Sequence, residues 1–160
     1  MNKEKLIQDL QSTDWYTATE AAKELQNFTD SEVVTALTNA MLQKEDLWVA
    51  SAAAEALLHI SDPNTVSAFF QVLTSTSLEE ELKQAADDAK SKGDYRGIVA
   101  LAEHFGGEIF SLKLTAAQAL VKIGTKEALE ALEQANTAAD PYGIIAKVIE
   151  KAKKEYGSNI

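Results

Sequence analysis

Apolar positions recur along this 160-residue chain at helical spacing, and the whole pattern repeats about every thirty-two residues. Asp30, Asp62 and Asp94 open similar segments, and Thr125 opens another thirty-one residues further on. Within them a second motif returns: Ala21-Ala22 with Leu25, Ala53-Ala54 with Leu57, Ala85-Ala86 with Ala89, and Ala116-Ala117 with Leu120. Self-similarity at this period marks stacked supersecondary units, each unable to bury its apolar face alone. Plotted at 100° per residue, Val49, Ala50, Ala53, Ala56, Leu57 and Ile60 share one face, with Trp48, Ser51, Ala52, Glu55 and His59 opposite. No segment alternates strictly at period two, so no sheet is predicted.

Punctuation follows the same period. Asp14, Asp30, Asp46, Asp62, Asp94 and Asp140 are predicted N-caps, because a short carboxylate can accept from the free amides of a first turn. Pro63 and Pro141 each follow such an Asp at the first helical position, where a missing N–H costs nothing. Gly93, Gly106-Gly107 and Gly124 are read as helix ends. The pattern predicts ten helices, over 2–11, 14–28, 30–43, 46–60, 62–75, 78–91, 94–105, 108–123, 125–136 and 140–156. Short connections make successive helices antiparallel neighbours, giving one domain over 1–160 with repeats at about 1–29, 30–61, 62–93, 94–124 and 125–157.

Composition narrows the chemistry. An apolar fraction of 46% can supply a core for a single domain. Cysteine is absent, which removes disulfides and thiolate metal sites and fits a reducing, cytoplasmic setting. The charged start Met1-Asn2-Lys3-Glu4-Lys5 lacks the apolar run of a signal peptide, and no stretch is long enough to span a bilayer, so no membrane is expected. Net charge is −10 and Arg96 is the only arginine, opposite to the cationic field and bidentate contacts that nucleic-acid binding uses. The acidity suits solubility or the steering of a basic partner.

The segment from Asp46 through Trp48-Val49-Ala50-Ser51-Ala52-Ala53-Ala54-Glu55-Ala56-Leu57 to Asp62-Pro63 resembles the HEAT-like repeats of phycobilin lyase subunits and many small bacterial solenoids. The resemblance covers all five repeats, strongest in the second and weakest in the third and fifth. It implies an all-α, right-handed α-α superhelix of about five HEAT-like helix pairs. The family's arginine after the Val is replaced by Ala18, Ala50, Leu82 and Lys113, so the interactions of that ladder are expected to be missing. In such stacks the second helix of each pair lines the concave surface. That rule places there Tyr16, Glu20 and Lys23; Trp48, Ala52, Glu55 and His59; Glu80, Gln84 and Asp87; and Ser111, Thr115, Gln118 and Lys122.

Candidate chemistry is sparse. His59 and His104 are the only histidines, one on a polar helix side and one near a predicted helix end, and neither forms a His-Glu or H-x-x-x-H pair. No nucleophile elbow or phosphate loop occurs. Neither catalysis, nor a metal, nor a cofactor is therefore predicted. Glu79-Glu80-Glu81 follow Ser77-Leu78 at a predicted helix N-terminus, where acidic side chains complement the dipole; with Asp87-Asp88, the alternative is a weak cation site or a docking point for a basic partner. Aromatics carry more: Tyr16, Trp48 and Tyr142 share one repeat position facing away from the core, where exposed rings make binding anchors. Trp15 is expected in the core.

Leu6, Ile7 and Leu10 at one end, and Ile144, Ile145, Val148 and Ile149 at the other, make one-sided helices suited to capping a monomeric stack. The leading reading is a non-catalytic protein-interaction scaffold that holds a protein or basic peptide on its concave face. Two alternatives stay open: a bilin attachment or detachment factor of the phycobilin lyase type, and an acidic inhibitor or immunity protein directed at a basic enzyme.

Overall fold

The computed structural model describes residues 2–43, 46–138 and 143–156. They form ten α-helices: α1 Lys3–Leu10, α2 Trp15–Leu25, α3 Ser31–Leu42, α4 Leu47–Ile60, α5 Val66–Thr74, α6 Ser77–Ser91, α7 Tyr95–Ala100, α8 Gly106–Ile123, α9 Lys126–Ala138 and α10 Ile144–Tyr156. A 3-10 turn, Pro63–Thr65, leads into α5. No strand is present among the described residues. None of their helices is long and apolar enough to cross a membrane.

Asp14, Asp46 and Asp94 cap helices as predicted, Asp30 and Asp62 depart from the prediction, and Asn2 is a further cap. Asn2 accepts from Glu4 N, Asp14 from Thr17 N, Asp46 from Trp48 N and Asp94 from Gly97 N. Asp62 accepts from Asn64 N and so caps the 3-10 turn. Asp30 holds the N-cap position of α3 without a capping bond; its carboxylate instead pairs with Lys3 at 3.2 Å, tying α1 to α3. Gly93 and Gly124 close their helices at φ +70° and +67°. The predicted cap Asp140-Pro141 lies outside the described residues.

Two rows of helices make the stack. α1, α3, α5 and α9 form one row; α2, α4, α8 and α10 form the other, with α4 packed between α2 and α8. The alanine motif builds the second row. Ala21, Ala22, Leu25, Ala53, Ala54, Leu57, Ala116, Ala117 and Leu120 are all at most 3% exposed. Methyl side chains let helix axes approach closely, and each leucine fills the gap between layers, contributing about 1.5–3 kcal/mol by burial.

The helices lie close to the predicted segments, except that the seventh and eighth are continuous, and the third and fourth pairs exchange partners. α5 packs on α8 rather than closing on α6, and α8 rather than α6 lies against α4. Of α6 only Leu78 is buried. Its alanine motif ends in Ala89 where the others carry leucine, and Lys83, Asp87, Asp88 and Lys90 surround it. Moving those charges between helices would cost far more than burying Ala85 and Ala86 returns. α6 and α7 therefore stand beside the stack as an inserted arm.

Gly106-Gly107 does not end a helix. α7 runs through a π-helical turn, Leu101–Phe105, straight into α8, and Gly106 has φ −63°. Helix formers on both sides and the buried anchors Ile109 and Leu112 carry the helix across the pair. His104, expected near a helix end, lies inside that turn.

Lys113 corrects the expectation of a missing ladder. Its side chain is 7% exposed, pairs with Glu79 at 2.6 Å and donates to the Ser75 carbonyl at 2.8 Å. Ser75 is the C-cap of α5 and Glu79 lies in the first turn of α6, so one ammonium bridges the stack and the arm. The other positions of the ladder hold no such group: Ala18 and Ala50 are 1% exposed, and Leu82 packs from the arm against the core.

Alanine at Gly107, where an added Cβ meets nothing within 4 Å, should raise stability by about 0.5–1 kcal/mol. Gly124→Ala should lower it by about 1–2 kcal/mol, because φ +67° is a left-handed conformation. Chemical denaturation of both variants reads the difference, and a destabilised Gly107→Ala would contradict the continuous helix. Lys113→Met should cost about 2 kcal/mol by stranding the Glu79 carboxylate. Hydrogen exchange should rise first in α6 and α7, ahead of α2 and α4.

Candidate binding surface

Three rings gather at the start of the second row. Tyr16 is 60% exposed, Trp48 55% and Trp15 51%. Trp15 meets Tyr16 edge to face at 5.9 Å and lies tilted against Trp48 at 6.1 Å. The caps position them: Asp14 immediately precedes Trp15 and Asp46 stands two residues before Trp48, so both helices present aromatics from their first turns.

Trp15 was expected in the core and is not. The residue one period later, Leu47, is 7% exposed on a helix with stacked neighbours on both sides. α2 has a second-row neighbour on one side only, namely α4, and the indole lies over Trp48 at that open end. Sequence reasoning missed it because periodic alignment assigns it the environment of Leu47. The signal it carried was its place in the first repeat, where half of that environment is absent. Trp48 lies against Trp15 of the preceding pair and still keeps more than half its surface in solvent. Tyr142 lies outside the described residues.

Below the rings, Glu20 and Lys23 pair at 2.7 Å on α2. The Lys23 ammonium is raised from its ordinary pKa, chiefly by that bond to Glu20, with smaller effects from Tyr16 and from Glu55 on α4. Tyr16, Glu20, Lys23 and Glu55 therefore share one field across α2 and α4. The Asp14 carboxyl is held below the usual carboxylate range, first by the Thr17 hydroxyl and then by the Thr17 and Tyr16 amides. A cavity of about 290 Å³ opens beside Trp15 between the α1–α2 and α3–α4 connections, with Leu10, Thr13, Ala18, Asp46 and Val49 in its wall.

The stripe then crosses directly from α4 to α8. Glu55 and His59 are exposed on α4, and Ser111 and Gln118 reach the surface of α8. Ser51 donates to Glu108 at 3.5 Å, and Lys122 reaches across to the Leu58 and His59 carbonyls at 3.1 and 3.2 Å, capping the last turn of α4. Gln118, Lys122 and Val121, with Leu58 and Val148, border a second cavity of about 280 Å³ toward α10. Ala52 and Thr115, expected on this stripe, are buried at 7% and 8%, because α4 and α8 pack closely there. Glu80, Gln84 and Asp87 are exposed on α6, with Thr76 donating to Glu80 and Gln84 to Asp88. They belong to the arm, and α6 does not occupy the place beside α4 that the stripe assumed. Among the described residues, no group of three His, Asp or Glu side chains converges as metal ligands would.

A two-row helical stack with an exposed aromatic end defines the class: an α-solenoid built from repeats. The HEAT repeats family matches residues 4–89, more than half of the chain, and the protein belongs to that family. A second family, the PBS lyase HEAT-like repeat, matches residues 112–135, spanning most of α8 and the first part of α9. No curated protein matches the chain. HEAT repeats generally serve as protein-interaction scaffolds.

The depressed Asp14 carboxyl has a definite pH signature. Its contribution is complete above the unfolded carboxylate range and is lost as pH falls through the lower folded value. The stability gap between wild type and Asp14→Ala should stay constant from pH 7 to about pH 5 and close below about pH 4. Urea denaturation across that series checks it; a gap that does not narrow as pH falls below about 4 would contradict an ionised cap.

Proposed function

We propose that this HEAT-repeat protein is a non-catalytic scaffold that holds a basic protein segment along α2, α4 and α8, anchored at Trp48. The observation that carries this is the aromatic cluster: Trp15 in contact with both Tyr16 and Trp48, each ring about half exposed, beside a cavity. Isolated apolar side chains on a surface are ordinary, but contiguous exposed aromatics mark binding sites. Tryptophan and tyrosine bury large areas with few torsions to freeze, which suits them to anchoring.

Charge supports a basic occupant. Residues 1–60 hold ten carboxylates against four lysines and no arginine. Glu20 and Glu55 flank the rings, so a lysine or arginine of the partner could lie over Trp48 while pairing with a carboxylate. Such charges chiefly speed encounter and exclude acidic competitors. The match to a PBS lyase HEAT-like repeat covers one helix junction and supports the repeat architecture rather than an activity on bilins.

Trp15 and Trp48 are the chain's two tryptophans, so tryptophan fluorescence, excited selectively over tyrosine, reports on this surface. A partner captured from the native cell should be basic, should change that fluorescence, and should bind Trp48→Ala at least about tenfold more weakly. Glu20→Gln with Glu55→Gln should slow association and flatten its salt dependence. A loss under about threefold on Trp48→Ala would reject the anchor. A visible absorption band on mixing with bilin and an apo-acceptor would reject the scaffold in favour of a lyase.

A further inference from the structure

The arm carries a surface of its own, formed by residues that the proposed function does not use. α7 packs on α6 and the π turn, and that turn packs on α6 and α8. No residue from Tyr95 to Phe105 is buried. Tyr95 is 72% exposed and Val99 54%. Together with Arg96, Ala100, Glu103 and His104 they line one shallow depression along the outer side of this helix. A helix face with large exposed apolar groups and no intramolecular cover is a candidate contact surface.

Its charge pattern identifies the occupant. Arg96 is the chain's only arginine, and Glu103 follows seven residues later on the same face. Val99 and Ala100 lie midway between them. If two copies of this helix run antiparallel about a two-fold axis through that midpoint, Arg96 of each copy faces Glu103 of the other. Val99 then meets Ala100 at the axis, and Tyr95 meets His104 at each end. A two-fold contact must be self-complementary in this way, because one patch serves both sides. Ala100 lets the axes approach, and guanidinium–carboxylate pairs fix the register.

We propose that the outer face of α7 and the π turn is a self-association surface for a second copy of this chain. The dimer is paired through Arg96 and Glu103, whereas capping of the two ends of the stack predicted a monomer. One helix pair lies at the small end of interface sizes, so association is weak and depends on concentration. Pairing would set two copies of the aromatic surface in one particle and raise avidity for a repetitive partner.

Sedimentation of the full chain from about 10 μM to about 1 mM should show reversible growth from 17.3 kDa toward twice that mass. Arg96→Glu alone and Glu103→Arg alone each place like charges opposite one another at both contacts and should weaken association at least about tenfold. An equimolar mixture of the two variants restores both pairs between unlike chains. It should therefore associate within about threefold of wild type, while circular dichroism shows all species equally folded. A protein that stays monomeric throughout overturns the proposal. So does a dimer indifferent to either reversal, or a mixture that associates no better than its components.

Discussion

Ala21-Ala22, Ala53-Ala54 and Ala116-Ala117 have almost no surface in water, and their methyl groups set how closely α2, α4 and α8 can lie. Most of the remaining structure follows from that spacing. Close axes leave only narrow gaps, which Leu25, Leu57 and Leu120 fill completely. The helix packed directly against α4 must be small on one stripe, carry a large apolar group one turn later and keep charges out of the contact. From Leu114 to Val121, α8 meets all three demands with no charged residue. α6 has the alanines, lacks the leucine and brings four charges between Lys83 and Lys90. The row therefore accepts α8 and leaves α6 outside.

Exclusion of α6 creates the need for a tether. A helical hairpin with a single buried residue has little core of its own, and Leu78, Leu82 and Phe105 give it only a narrow apolar seam against the stack. Lys113 supplies the polar half of that attachment by holding a carbonyl of α5 and a carboxylate of α6 at once. The π turn lies where the helix leaves the arm for the stack. An extra residue per turn there shifts the helix face, so apolar positions can face the arm on one side and the stack on the other. Both features sit at the one place where the repeat departs from its own rule.

Openness at the first repeat produces the surface proposed for binding. Inner repeats have second-row neighbours on both sides; the first has one. Tyr16 and Trp48 were legible as outward rings because they share with Tyr142 one repeat position opposite the apolar face, and Glu20 and Glu55 followed from helical spacing. Trp15 was not legible, since a position buried in one repeat was assumed buried in all. Glu80, Gln84 and Asp87 were placed on the wrong stretch of surface for the complementary reason: the period names equivalent residues without saying which helices become neighbours.

By itself the sequence determined the helices, most of their caps, the repeat length and the family. All of these rest on local physics: side chains that cap a first turn, glycines that tolerate positive φ, and apolar stripes at a period of 3.6. Tertiary structure alone decided that α8 replaces α6, that Lys113 is buried and paired, and that Gly106-Gly107 lies within a helix. Those outcomes depend on competition among segments for one site in the stack. The winner is set by the difference between burying leucine and burying charge, which no window of the sequence evaluates alone.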